Sequence, residues 1–208
     1  MRNVMLKAIN FLAKYGLDKL QCALMLGAGL VVVLALVTGS VTMTKDWLAF
    51  LFRWLHVISA IMWIGLLWYF NFVQIPSMPN IPDEQKPAIS KVIAPTALFW
   101  FRWSSLATVV TGLILAFLNS YLVQALLLGY LKGGKETYIG LGMWLGLIMS
   151  YNVWGIIWPN QQKALGLVPV ADDDEKKAAA RIAMLTSRFN TALSIPMLYF
   201  MVAAQNLS

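Results

Sequence analysis

Histidine and cysteine are nearly missing from this sequence, with one of each in 208 residues, and only 12% of the residues carry charge. So few ligands cannot assemble an all-protein zinc site, and no bound metal is expected. Cys22 alone excludes an internal disulfide and any CxxC or CxxCH motif, and with it a covalent c-type haem within these residues. It reads as a small packing residue. No P-loop, GxGxxG or HExxH is present, which removes the common nucleotide-binding and zincin readings. Acidic residues number nine against sixteen Lys and Arg, and no pair of them falls inside an apolar run. A proton-driven transporter relying on intramembrane carboxylates is therefore disfavoured. The run Asp172 to Glu175 reads as a solvated helix start, where negative charge suits the N-terminus, rather than as a metal site. No short apolar stretch ending in a small-residue cleavage site opens the chain, so no removed signal peptide is expected.

What remains is apolar. Hydrophobic residues make up 60% of the chain, gathered into blocks of roughly 20, the length that spans ~30 Å of hydrocarbon. The fold class expected is all-α: an integral membrane helical bundle of about five transmembrane helices, with the lipid bilayer as its first partner. The net charge of +7 then reads as Lys and Arg held against anionic lipid, not as nucleic-acid binding.

Punctuation divides the chain into an amphipathic interfacial segment over residues 1–20 and a transmembrane domain over 21–208. Span one runs from about Gln21 to Met43, and span two from Trp47 to Gln74, closed by Pro76 and Pro79. After a linker from Met78 to Pro95, span three begins near Ala97 and ends near Leu118. The segment Asn119 to Leu131 either extends it or lies along the surface, with Gly133 and Gly134 as the break. Span four covers Tyr138 to Trp158 and stops at Pro159; span five covers Ile182 to about Ala204.

With the N-terminus inside, ten Lys and Arg fall in cytoplasmic segments (Arg2, Lys7, Lys14, Lys19, Lys86, Lys91, Lys163, Lys176, Lys177, Arg181) and three outside (Lys45, Lys132, Lys135). That orientation is expected, in a bacterial inner membrane. It places Asn71, Gln74, Arg102, Asn152, Asn160, Gln161, Arg188 and Asn190 in the cytoplasmic half. Two readings compete for this set. In one, Asn71, Gln74, Arg102, Asn152, Arg188 and Asn190 share a substrate pocket lined by Trp100, Trp103, Trp154 and Trp158. In the other they snorkel or hydrogen-bond between helices as glue, the reading preferred for Asn160 and Gln161.

His56 lies near the outer third of span two and shares a helical face with Ala60, Trp63, Phe70 and Gln74. Gln74 is ~27 Å farther along that helix, so the two sites are separate. His56 is read as an axial ligand to a b-type haem, as a proton-relay group, or as a structural histidine bonding a carbonyl on a neighbouring helix. For haem, Met25, Met143 and Met197 are candidate second ligands, Arg53 one turn away pairs with a propionate, and Trp63 flanks the cofactor.

The segments WLHVISAIMWIGLLWYFNFVQIP, APTALFWFRW, MWLGLIMSYNVWGIIWPNQQKALG and SRFNTALSIPMLYFM together resemble the membrane domain of the bacterial membrane-bound urate hydroxylases, the PuuD family. The resemblance implies a multi-helix domain that passes electrons from urate to a cytochrome c, here a separate one, since it reaches the membrane part only. LHVISAIMWIGLLWY also resembles the first helix of HemJ-type protoporphyrinogen oxidases and CopD-like membrane proteins, which implies haem or metal binding at His56. Two functions follow as expectations: a redox-linked membrane protein acting with a partner, or a non-catalytic accessory subunit of a larger respiratory or monooxygenase-type complex.

Overall fold

A computed structural model describes residues 2–130 and 134–207. Lys132 of the orientation count, Leu131 and the expected break at Gly133 lie outside the described residues. Among these residues the secondary structure is helical throughout: α1 (Arg2–Leu12), α2 (Leu20–Val37), α3 (Lys45–Asn80), α4 (Lys86–Leu118), α5 (Leu122–Leu126), α6 (Lys135–Ala164) and α7 (Asp173–Asn206). The chain forms two compact units, residues 1–47 and 48–208.

In the first unit, α1 carries Lys7 between exposed apolar residues, and the wide turn over Ala13–Leu17 holds Gly16 at φ 98°, a conformation that glycine adopts without strain. The helix α2 holds no charged residue and no buried one. Its end is closed by Thr38, whose hydroxyl donates to the Leu34 carbonyl at 2.8 Å.

In the second unit, α3, α4, α6 and α7 meet around one core. Trp63, Leu67 and Phe70 from α3 pack with Leu98 and Phe101 from α4, Met149, Val153 and Ile157 from α6, and Met197 from α7. The helices α6 and α7 run side by side over much of their length. Gly142 makes that approach possible, because a Cβ there would lie 3.2 Å from the Met201 side chain.

Four helices, α2, α3, α4 and α6, are long and apolar enough to cross a membrane by length and composition. The expected fifth span falls in the C-terminal part of α7, a helix of 34 residues whose buried face sets Ser187, Asn190 and Ser194 among alanines and Met197. Its start lies within the acidic run: the Asp172 carboxylate accepts from the Glu175 amide at 2.7 Å, and Glu175 reaches back to accept from the Ala171 amide, a reciprocal cap. Residues 119–130 hold only the five-residue α5, ~7.5 Å long and too short to cross.

The expected boundaries at proline need correction. Helix α3 continues through Pro76 to Asn80, and α4 starts at Lys86, with Pro95 inside it. Pro76, Pro95 and Pro159, the last inside α6 and not at its end, each follow a wide turn that ends two residues before: Tyr69–Gln74, Ile89–Ile93 and Asn152–Ile157. Proline offers no N–H and its ring crowds the carbonyl four residues back; a wider turn swings that carbonyl aside, so the helix bends without ending. Asn71 and Asn152 both sit in these turns.

Candidate functional site

Three polar features occupy the second unit. The first is His56. Its Nδ1–H donates to the Thr108 carbonyl of α4 at 2.8 Å, and Thr111 Oγ1 lies 3.5 Å from the same nitrogen while donating to Ala107. The ring rests on Gly112, where a Cβ would stand 2.8 Å from Cε1 and 3.0 Å from Nδ1. With Nδ1 carrying the proton, Nε2 presents its lone pair. Among the described residues Nε2 makes no hydrogen bond. Trp63, seven residues on and on the same face, is 1% exposed and its indole N–H has no partner among the described residues. Arg53 is exposed. Its charge acts on Tyr121, just beyond α4, whose phenol burial pushes above its ordinary value with Arg53 opposing. Met197 belongs to the core, and Met143 lies half-buried on α6.

The second feature is an amide seam along α7. Asn190 is fully buried; it accepts from Asn152 Nδ2 at 2.8 Å and donates to the Met149 carbonyl at 2.9 Å. One turn before it, Ser187 accepts from Asn71 Nδ2 at 2.8 Å. One turn after it, Ser194 accepts from Trp68 Nε1 at 2.9 Å and donates to Thr191. Polar groups buried among apolar side chains cost several kcal/mol unless they find each other, so these bonds fix how α3, α6 and α7 meet. The side-chain oxygens of Asn71 and Gln74 are buried without a partner among the described residues.

The third feature joins α4 to α6. The Arg102 guanidinium stacks on Trp158, Cζ to ring centroid 3.3 Å, and Trp103 meets Trp154 edge to face at 5.5 Å.

These placements separate residues that the pocket reading groups together. Arg188 is exposed on α7, pointing away from the buried Ser187 and Asn190, because a helix turns each successive side chain by ~100°. Arg102 faces Trp158 in a different seam from the one holding Asn152. Trp100 and Trp103, 52% and 48% exposed, stand on the outer surface instead of lining a cavity. Asn160 donates to its own helix at Ile156. Asn71, Asn152 and Asn190 are brought together; Gln74 is half-buried near them along α3.

Several partners were not singled out from sequence: Thr108, Thr111 and Gly112 around His56, and Trp68, Ser187 and Ser194 in the seam. The signal was there in spacing. Ser104, Thr108 and Thr111 recur at four and three residues on α4, as do Ser187, Asn190 and Ser194 on α7, marking faces turned inward.

Residues 117–206 match the urate oxidase N-terminal family model. The urate oxidase N-terminal match takes in α5, α6 and α7, with Asn152, Arg188, Asn190 and Ser194, whereas His56 and Arg102 precede it. No curated protein and no solved structure matches the chain.

Proposed function

We propose that this chain is a redox-linked membrane protein of the urate hydroxylase membrane-domain type, working with a partner, and that it holds a b-type haem at His56. The observation that carries the reading is the state of that imidazole. Its Nδ1–H is tied to a backbone carbonyl, the arrangement that orients a metal-ligating histidine and leaves Nε2 as the donor. The unmatched Trp63 N–H on the same face adds a second group short of a partner. A b-type haem held there supplies one-electron redox chemistry. The chain's part is to orient the ring through Thr108, to keep Nε2 unprotonated, and to offer the Arg53 cation to a propionate.

Substrate handling falls to the amide seam in this reading. Asn71 and Gln74, each with a spare acceptor, and the Asn152–Asn190 pair recognise a small polar organic molecule of the urate type. Electrons leave to a separate cytochrome c. The positive-inside count supports an N-terminus on the cytoplasmic side of a bacterial inner membrane, with the seam in its cytoplasmic half. A protease-accessibility assay that placed residues 81–85 outside would overturn that orientation.

A second reading has its own observation. The seam's hydrogen bonds close largely within the bundle, as expected for interhelical glue in a non-catalytic accessory subunit of a respiratory or monooxygenase-type complex. A reduced-minus-oxidised spectrum of protein purified in mild detergent separates the two. Haem bands that disappear in His56→Ala support the redox reading; a flat Soret region under normal iron supply, with a larger complex co-purifying, supports the accessory one.

A further inference from the structure

We infer that the α4–α6 seam at Arg102 binds the phosphodiester of an anionic phospholipid. Arg102 is half-buried on α4, and the ion pairs among the described residues, Lys86–Asp83, Lys163–Glu175 and Lys177–Asp174, leave it out. Its side chain makes no hydrogen bond among those residues. A guanidinium keeps its charge and carries five donors, so at this position it needs an anion from elsewhere.

No carboxylate of these two helices can supply one. Asp83 and Glu84 precede the start of α4, and Arg102 lies ~24 Å along that helix from its first residue, Lys86. Glu136 sits in the first turn of α6, ~33 Å along the helix from Trp158.

The geometry selects the kind of ligand. Stacking on Trp158 uses the face of the guanidinium and leaves its edge, the fork of N–H groups, for bidentate contact with phosphate oxygens. The stripe behind it is also short of partners: Trp154, Trp158 and Gln161 follow one another at four and three residues on α6, and Trp154 Nε1 and Gln161 Oε1 are both unmatched among the described residues. On the same stretch of α4, Phe99, Trp100 and Trp103 are each about half exposed on the outer surface. Three aromatic rings on the outer surface of a bundle present a lipid-facing wall, so the phosphate arrives on a lipid and not from bulk water. Cationic pockets between spanning helices are recurrent headgroup sites.

The test is lipid retention by the purified full chain, read by native mass spectrometry and by the detergent melting temperature. The probes are dioleoylphosphatidylglycerol, dioleoylphosphatidylcholine and inorganic phosphate. Phosphatidylglycerol is expected to stay bound and raise the melting temperature, and Arg102→Gln to weaken that binding about tenfold or more, the size of a lost charge-assisted pair. Arg102→Lys retains part of it, having charge without the fork. Should Arg102→Gln fail to fold, Trp158→Leu removes the stacking platform while keeping the charge, and is expected to weaken retention as well. Equal retention by the folded variants, or equal retention of phosphatidylcholine, overturns the inference. Stabilisation by millimolar phosphate alone, matching that by phosphatidylglycerol, overturns the lipid assignment in favour of a soluble anion. None of these readouts involves a haem spectrum, so this inference and the redox reading fail separately.

Discussion

Replacing Gly112 by alanine tests the histidine site through packing alone. The new Cβ would stand 2.8 Å from His56 Cε1 and 3.0 Å from Nδ1, closer than carbon atoms settle, and the contact is with a rigid ring. Either α4 moves away from α3 or the imidazole turns out of its place, breaking the 2.8 Å bond to Thr108. Overpacking of this kind costs about 1–3 kcal/mol, and stranding a buried donor adds about 1–3 kcal/mol. Gly65 provides the internal control. It lies on α3 with nothing within 4 Å of the place a Cβ would take, so alanine there gains roughly 0.5–1 kcal/mol from helix propensity. The two variants are therefore expected to move stability in opposite directions in a denaturant titration of detergent-solubilised protein. Gly112→Ala as stable as Gly65→Ala would refute the packing of His56 on α4.

Other outcomes follow from the amide seam and the α6–α7 connection. Asn190→Ala strands Asn152 Nδ2, at about 1–3 kcal/mol, and also removes a second bond, to a Met149 carbonyl that keeps the Asn152 backbone N–H, at about 0.5–1.5 kcal/mol, whereas Asn152→Ala strands only the Asn190 oxygen; a thermal melt in detergent should rank Asn190→Ala below Asn152→Ala. Trp68→Phe keeps an aromatic ring and deletes the bond to Ser194, with an expected loss of about 0.5–1.5 kcal/mol in the same melt. The Glu175 carboxyl is held below its ordinary value by the Ala171 amide first and by Lys163 next. Because its folded value is depressed, the stability it contributes is present above the ordinary carboxylate range and is lost as pH falls through the folded value. Melting curves taken at descending pH should therefore separate wild type from Glu175→Gln at neutral pH and bring them together in acid; curves that stay parallel throughout would contradict the cap.

Much of the architecture could be read from residue order because lipid imposes a simple rule: apolar blocks of sufficient length become helices. The ends near Pro76 and Pro95 could not, since proline stops a helix only when its clash is not absorbed, and the wide turns over Tyr69–Gln74 and Ile89–Ile93 absorb it. His56 stood out in the sequence as the lone imidazole, yet its partners did not. Thr108 contributes a backbone carbonyl, which every residue has, and Gly112 contributes the absence of a side chain. The amides were visible as a set but not as two seams. Which of them meet depends on helical phase carried across those wide turns, each of which shifts the register of the helix beyond it, and on how neighbouring helices dock. Arg188 fell on the opposite face from its neighbours Ser187 and Asn190.

The haem content of the purified chain bears most directly on the redox assignment. Extraction and quantitation of non-covalent haem from wild type and from His56→Ala, both expressed with ample iron, should give close to one haem per chain in the first and a large loss in the second, with the two proteins melting as folded species. Wild type without haem, or the same haem content in both, would contradict it.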